Sequence, residues 1–154
     1  MGALLAALVG AGCFVHVRAD AERPPRPTRS WPQSARAPAP VGPYSQAVRV
    51  GDTLWLAGQV GVDPDTGALV EGGVGPQTAR ALANLAAVLE AAGMGLADLV
   101  EVQVFLADID DFAAMNAIYA ATLPVPAPAR TTVGVAALPL GAAVEIRAVA
   151  VRTR

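Results

Sequence analysis

Two stretches near the C-terminus decide the fold: Pro128-Ala129-Arg130-Thr131-Thr132-Val133, and Ala143-Val144-Glu145-Ile146-Arg147-Ala148-Val149-Ala150-Val151. Both read as β-strands by their content of β-branched residues. Each also holds a residue able to carry charge among apolar neighbours, Arg130 in the first and Glu145 in the second. A sheet gains nothing by placing a charge there, so these two are the leading candidates for function.

Working outward, Pro124, Pro126 and Pro128 exclude helix and make a rigid, extended approach to Arg130. Upstream, Leu99–Leu106 is the clearest strand, with Val100, Val102, Val104 and Leu106 on one face and Glu101, Gln103 and Phe105 on the other. Between the two, Asp110 is expected to cap a helix that runs to Tyr119 or Ala121 and carries Phe112, Met115, Ile118 and Tyr119. A longer helix opens at Gly75-Pro76, proline being free of cost at the first helical position, and closes at Gly93. Leu82, Leu85 and Leu89, with Ala81, Ala86 and Ala92, give it one narrow face of small residues suited to lying on a sheet. Asp63-Pro64-Asp65-Thr66-Gly67 has turn chemistry. Before it, Tyr44–Val50 and Thr53–Val60 around Gly51-Asp52 predict a tight hairpin, with Leu54 and Leu56 facing one way and Thr53, Trp55 and Ala57 the other.

The order is β-β-α-β-α-β-β, an α+β domain with a mixed sheet and both helices on one face. The uncovered face carries Trp55, Phe105, Val149 and Val151, and a neighbouring subunit is the natural cover. Composition agrees: at 154 residues the chain fits one domain, and 54 % hydrophobic against 16 % charged is more apolar surface than a lone monomer of this size needs.

All 11 basic residues are arginine, and five of them precede residue 37; the remainder sets eleven acids against six arginines, a formal charge of −5. An acidic body without a basic stripe does not suit nucleic acid. Cys13 and His16, the only cysteine and the only histidine, sit in the N-terminal region, so the body holds no disulfide, thiol nucleophile, zinc cluster or histidine triad.

Ala3–Val17 is an apolar run too short to span a bilayer comfortably but of the length of a signal-peptide core, followed by Ala19-Asp20-Ala21 as a small-residue cleavage site. No Lys or Arg precedes the run. The balance favours a cytoplasmic protein with residues 1–36 as a non-structural extension; the alternative is export with cleavage near Ala21. No stable membrane span is expected. Arg23–Pro40 is proline-rich and cannot be helix or central strand, so it reads as a linker or arm, with the folded body from residue 37 to 154.

Phosphate-binding loops, metal-ligand spacings, nucleophile elbows and paired catalytic carboxylates are all absent from the sequence. Gly72-Gly73 and Gly75 lack the flanking elements of a phosphate loop, and Asp108, Asp110 and Asp111 read as a helix cap rather than a metal site. Arg130 differs: a planar fork on a rigid backbone is what bidentate carboxylate recognition needs. The competing reading is an internal Arg130–Glu145 salt bridge.

These residues also carry a resemblance. Gly42-Pro43-Tyr44-Ser45-Gln46-Ala47, Ala57-Gly58-Gln59, Asn84-Leu85 through Gly93, Val104-Phe105-Leu106 to Asp111-Phe112 with Asn116 and Tyr119, Pro128-Ala129-Arg130, and Leu138-Pro139 through Val144-Glu145-Ile146 resemble, in order and spacing, the Rid (RidA, YjgF-like) family of reactive-intermediate deaminases. The likeness covers about residues 37 to 151. It implies a chorismate-mutase-like fold, a homotrimer with a barrel of sheets inside and helices outside, and three clefts between subunits. It further implies cofactor-independent, metal-free hydrolysis of 2-imino acids such as 2-iminobutyrate and 2-iminopropionate to 2-keto acids and ammonia. Carried onto this sequence, Arg130 would hold the substrate carboxylate, Glu145 would activate water and Tyr44 would close the cleft, with Gly58, Thr132 and Asn116 binding substrate. Thr132 stands where many members have Cys, Ala57 where Ser is usual and Gly61 where Pro is usual, which bears on specificity. A binding protein for small carboxylates on the same fold is the rival class. A chorismate mutase is disfavoured, because the body has few cations with which to neutralise two carboxylates.

Overall fold

Val144, Ile146, Ala148 and Ala150 alternate onto one face of a strand and are each 2 % exposed or less. That strand lies at the heart of the sheet in the computed structural model, which describes residues 26–153. The apolar run, Cys13, His16 and the site near Ala21 lie outside the described residues. In chain order the elements are β1 (Arg29–Ser30), β2 (Ala47–Val50), β3 (Thr53–Val60), α1 (Val74–Ala91), β4 (Leu99–Leu106), α2 (Phe112–Thr122), β5 (Ala129–Gly134) and β6 (Val144–Val151).

The sheet order is β1-β2-β3-β6-β4-β5. Every neighbouring pair is antiparallel except β4 and β5, and parallel neighbours require a crossover, here supplied by α2. The last strand thus inserts between β3 and β4. Leu54 and Leu56 of β3, Val102, Val104 and Leu106 of β4, and the four β6 residues above form one cluster with Leu82, Leu85, Val88 and Leu89 of α1 and Met115 and Tyr119 of α2. Both helices therefore cover the same face, and each leucine so buried contributes about 1.5–3 kcal/mol. On the other face Trp55 is 42 % exposed, and Phe105, Val149 and Val151 are half-buried.

Gly93 closes α1 as expected. Its φ of +67° is the left-handed conformation a glycine adopts freely, its N–H donates to Glu90 O and that of Met94 donates to Leu89 O, both at 2.9 Å. The remaining carbonyl of Ala92 accepts from Arg49 at 3.3 Å and Arg152 at 3.2 Å, two cations suited to the negative end of the helix.

Several local expectations are corrected. Pro76 occupies the third helical position, where the first turn still asks no N–H of it. The residue that caps the approach to α2 is Asp108, whose Oδ1 accepts the Asp110 N–H at 3.0 Å, because a turn of 3-10 helix over Ile109–Asp111 precedes the α-helix. Val100 is 43 % exposed rather than inward, since the register between β4 and β6 shifts from Leu99↔Ala150 to Glu101↔Val149 and the extra residue is thrown out as a bulge. The apolar face of α1 is wider than expected, taking in Asn84, Ala87 and Val88, because α2 packs beside α1. Asn84 is fully buried, and its Nδ2 donates to Val60 O and Val62 O at 3.3 and 2.9 Å, satisfying carbonyls where the chain leaves β3.

The proline-rich arm is no central strand, yet it is tied to the body. Arg29 and Ser30 pair with Val50 and Arg49 at the sheet edge. Buried Gln46 acts as a surrogate strand: its Oε1 accepts the Ser34 N–H at 2.7 Å, and its Nε2 donates to the carbonyls of Ser34, Ala37 and Pro38 at 3.1, 3.3 and 2.8 Å. Arg36 pairs with Glu90 of α1.

Candidate functional site

Glu145 sits on the face of β6 that the helices leave open, paired in register with Val60 of β3 and Phe105 of β4. Gly58 makes room for it: a Cβ there would run into the Glu145 carboxylate. The carboxylate borders a cavity of about 670 Å³ whose wall includes Val41, Tyr44, Val60, Val62 and Leu140 and in which Glu145 is the one charged side chain among the described residues. Partial burial with no compensating cation raises its pKa above the ordinary 4.5. Tyr44 stands half-exposed at the rim, its hydroxyl 3.4 Å from the Val41 N–H.

Arg130 sits elsewhere. On β5 it pairs with Val102, whose side chain and that of its other partner Ala148 both point into the helix-covered core. Its side chain therefore lies on the helix side of the sheet, three groups of α2 holding it. The guanidinium lies 4.6 Å from the centre of the Tyr119 ring and 5.6 Å from that of Phe112, and its Nη1 donates to Asn116 Oδ1 at 2.8 Å. Residues 112, 116 and 119 fall one helical turn apart, so one stripe of α2 fixes the fork. Tyr119 is 4 % exposed; burial raises its hydroxyl pKa and the Arg130 charge partly offsets this. The Oγ1 of Thr132, on the same strand face as Arg130, is buried without a hydrogen-bond partner.

The sequence candidates thus fall into two groups. Tyr44, Gly58 and Glu145 share the cavity; Arg130, Asn116 and Thr132 lie together at the β5 edge on the other face. No ion pair joins Arg130 to Glu145 among the described residues, so the internal salt bridge weighed from sequence does not form. Asn116 touches the arginine, a geometry for positioning the fork. The sequence marks Phe112 and Tyr119 as residues of the helix and of the family-like motif around Asn116, but nothing local says that a strand arginine lies across them. Leu140 at the cavity mouth gave no signal. No three His, Cys, Asp or Glu side chains converge among the described residues.

The chain also matches known proteins. The family model described as Endoribonuclease L-PSP matches residues 34–152. The 2-iminobutanoate/2-iminopropanoate deaminase of Capra hircus is 48 % identical over 119 residues, covering 77 % of this chain and 87 % of that one, and the Homo sapiens protein of the same name is 46 % identical with the same coverage. Among solved structures, RidA from an Antarctic Psychrobacter is 46 % identical with a TM-score of 0.78, covering 80 % of this chain and 99 % of that one. TdcF of E. coli, with bound serine, is 35 % identical with a TM-score of 0.76 and the same coverage. With its strand order, its open sheet face and these likenesses together, the chain belongs to the Rid (Endoribonuclease L-PSP) family.

Proposed function

We propose that the protein hydrolyses reactive 2-imino acids, such as 2-iminobutyrate and 2-iminopropionate, to 2-keto acids and ammonia, in clefts between the subunits of a homotrimer. The observation that carries this is Glu145, the one charged side chain among the described residues of its cavity, partly desolvated and sharing that cavity with Tyr44. A carboxylate with a raised pKa is suited to taking a proton from water near neutral pH. Arg130, fixed by Asn116, Tyr119 and Phe112, supplies the complementary group from a neighbouring subunit and binds the substrate carboxylate through charge-assisted hydrogen bonds worth about 1.5–3 kcal/mol each.

As the water oxygen bonds to the imine carbon, Glu145 takes one proton and the C=N electron pair moves onto nitrogen. Passing that proton to nitrogen gives a carbinolamine. The hydroxyl proton then moves to nitrogen, ammonia leaves and the carbonyl forms, so Glu145 ends as it began. The imine carbon is already electrophilic, and positioning the carboxylate beside it supplies most of the acceleration the step needs. Hydrolysis of RNA fits the chain less well, since the body from residue 37 is acidic and its histidine content is nil.

The test is a dehydratase that releases 2-iminobutyrate or 2-iminopropionate in front of a nucleophilic scavenger. The protein should divert imine to keto acid and reduce scavenger adduct in proportion to its concentration. Unchanged adduct at stoichiometric protein would leave only the rival, a binder of small carboxylates, for which keto-acid affinity without turnover is the signature.

A further inference from the structure

Leu140 is the one non-glycine residue with positive φ among the described residues (φ 59°, ψ 12°), in the loop Pro139–Gly141. Left-handed backbone is unfavourable for a leucine and free for a glycine. The usual compensation, burial, is missing: the side chain is 69 % exposed within the chain. The side chain of this strained residue therefore adds little to the core of its own subunit, and strain of this kind gathers at functional sites. The loop follows β5 and leads directly into β6, and Leu140 lines the same cavity as Glu145.

Most of the cavity wall is hydrocarbon: Val60 at the end of β3, Val62 just beyond it, Pro64 in the following turn and Pro139 beside Leu140 present apolar groups, Tyr44 and Gln59 are its polar side chains, and Glu145 is the one charge among the described residues. In the single subunit the cavity measures about 670 Å³, more than the whole of 2-iminopropionate would fill. We infer that Leu140 is a specificity-determining residue, its isobutyl group packing on the substrate's side chain so that the site prefers 2-imino acids with branched or longer apolar side chains over 2-iminopropionate. This rests on the imine-hydrolase reading for the identity of the substrate, but not for the preference itself, which any 2-oxo acid bound in the cavity would report.

The test compares wild type with Leu140→Gly, a change that relieves the backbone and removes the hydrocarbon. An amino-acid oxidase acting on leucine or alanine supplies the two imines, and kcat/KM is measured for each. In parallel, Kd is measured for 4-methyl-2-oxopentanoate and for pyruvate, and the mass of the assembly is measured by light scattering. Wild type should favour the leucine-derived compounds, and Leu140→Gly should reduce that preference roughly tenfold, the size expected for losing a few methylene-scale contacts, with no loss of melting temperature. Leu140→Met, which restores apolar volume, should recover most of it. An unchanged ratio of the two Kd values would overturn the inference, as would a variant whose assembly falls apart, which would make Leu140 an interface residue. If wild type turns over neither imine yet its Kd ratio responds to Leu140, the hydrolase reading fails and the specificity assignment stands.

Discussion

Glu145 is a carboxylate whose surroundings do nothing for its charge, and this fixes its pH behaviour. Its folded pKa lies above the ordinary 4.5, so the folded protein holds the proton more tightly than the unfolded chain. Stability from this group is therefore largest at low pH and declines as pH rises from 4.5 through the raised folded value. In the proposed mechanism activity runs the opposite way, because a general base works only when deprotonated. In Glu145→Gln the acid limb of the kcat/KM profile, placed above 4.5 in wild type, should vanish along with roughly 10²- to 10⁴-fold of the rate, while the melting temperature at neutral pH holds or rises. A clear drop in melting temperature would mean that the carboxylate has a stabilising partner.

At the other group, Arg130→Lys should lower kcat/KM roughly 10- to 100-fold, since a point charge cannot replace the planar fork or its stacking on Tyr119. Asn116→Ala should cost only a few-fold, mostly in KM, because it removes one acceptor and leaves all five guanidinium N–H donors and the contacts with Tyr119 and Phe112 in place. Arg130 and Glu145 were legible in the sequence as charges in strands. Their separation was not: strand parity puts Arg130 level with Val102 and Glu145 level with Phe105, and only the register of β4 with both β5 and β6 says that those are opposite faces.

Elements followed from local pattern wherever one periodicity dominated. The β2–β3 turn, the helix closed at Gly93 and the strand at Val144–Val151 lie where turn chemistry and spacing place them, while β2 begins at Ala47 rather than Tyr44, because the Gln46 side chain is taken up by the arm. Expectation failed where two elements interact. Val100 obeys the alternation of β4 but is displaced by the register shift against β6, and α1 buries more than a single stripe because α2 lies alongside. The arm is the sharpest case. Its prolines announce an irregular segment, and its attachment runs through a distant amide, Gln46, a two-residue edge pairing and one ion pair, with nothing periodic in the arm to reveal them. A chain beginning at Ala37 loses the β1 pairing, the Ser34 N–H bond to Gln46 and the exposed Arg36–Glu90 contact. Each bond is worth about 0.5–1.5 kcal/mol at most, so the shortened chain should still fold cooperatively, with a melting temperature several degrees lower. Failure to fold would make the arm part of the body; an unchanged melting temperature would show that these bonds contribute nothing.

At the scale of the whole molecule, the geometry that divides the candidate site also prescribes how to test it. Within one chain, Arg130 on the helix side of the sheet and Glu145 on its open side cannot meet the same small substrate. In the proposed homotrimer, each cleft takes its arginine from one subunit and its carboxylate from the next, with Trp55, Phe105, Val149 and Val151 buried in the inner barrel. Arg130→Ala and Glu145→Gln homotrimers should then both be nearly inactive, for different reasons. Unfolded together in equal amounts and refolded, they should form mixed trimers. A cleft is intact when the subunit giving its arginine carries only Glu145→Gln and the subunit giving its carboxylate carries only Arg130→Ala, which random assembly satisfies in about one cleft in four. Activity should therefore return to about a quarter of the wild-type value, a gain that neither variant shows when refolded alone. A site contained within one subunit gives no such recovery, because every chain in the mixture still lacks one of the two groups. Recovery at that level would establish the shared cleft and the roles of both residues together; no recovery from a mixture shown by mass to contain mixed trimers would refute the division of the site between subunits.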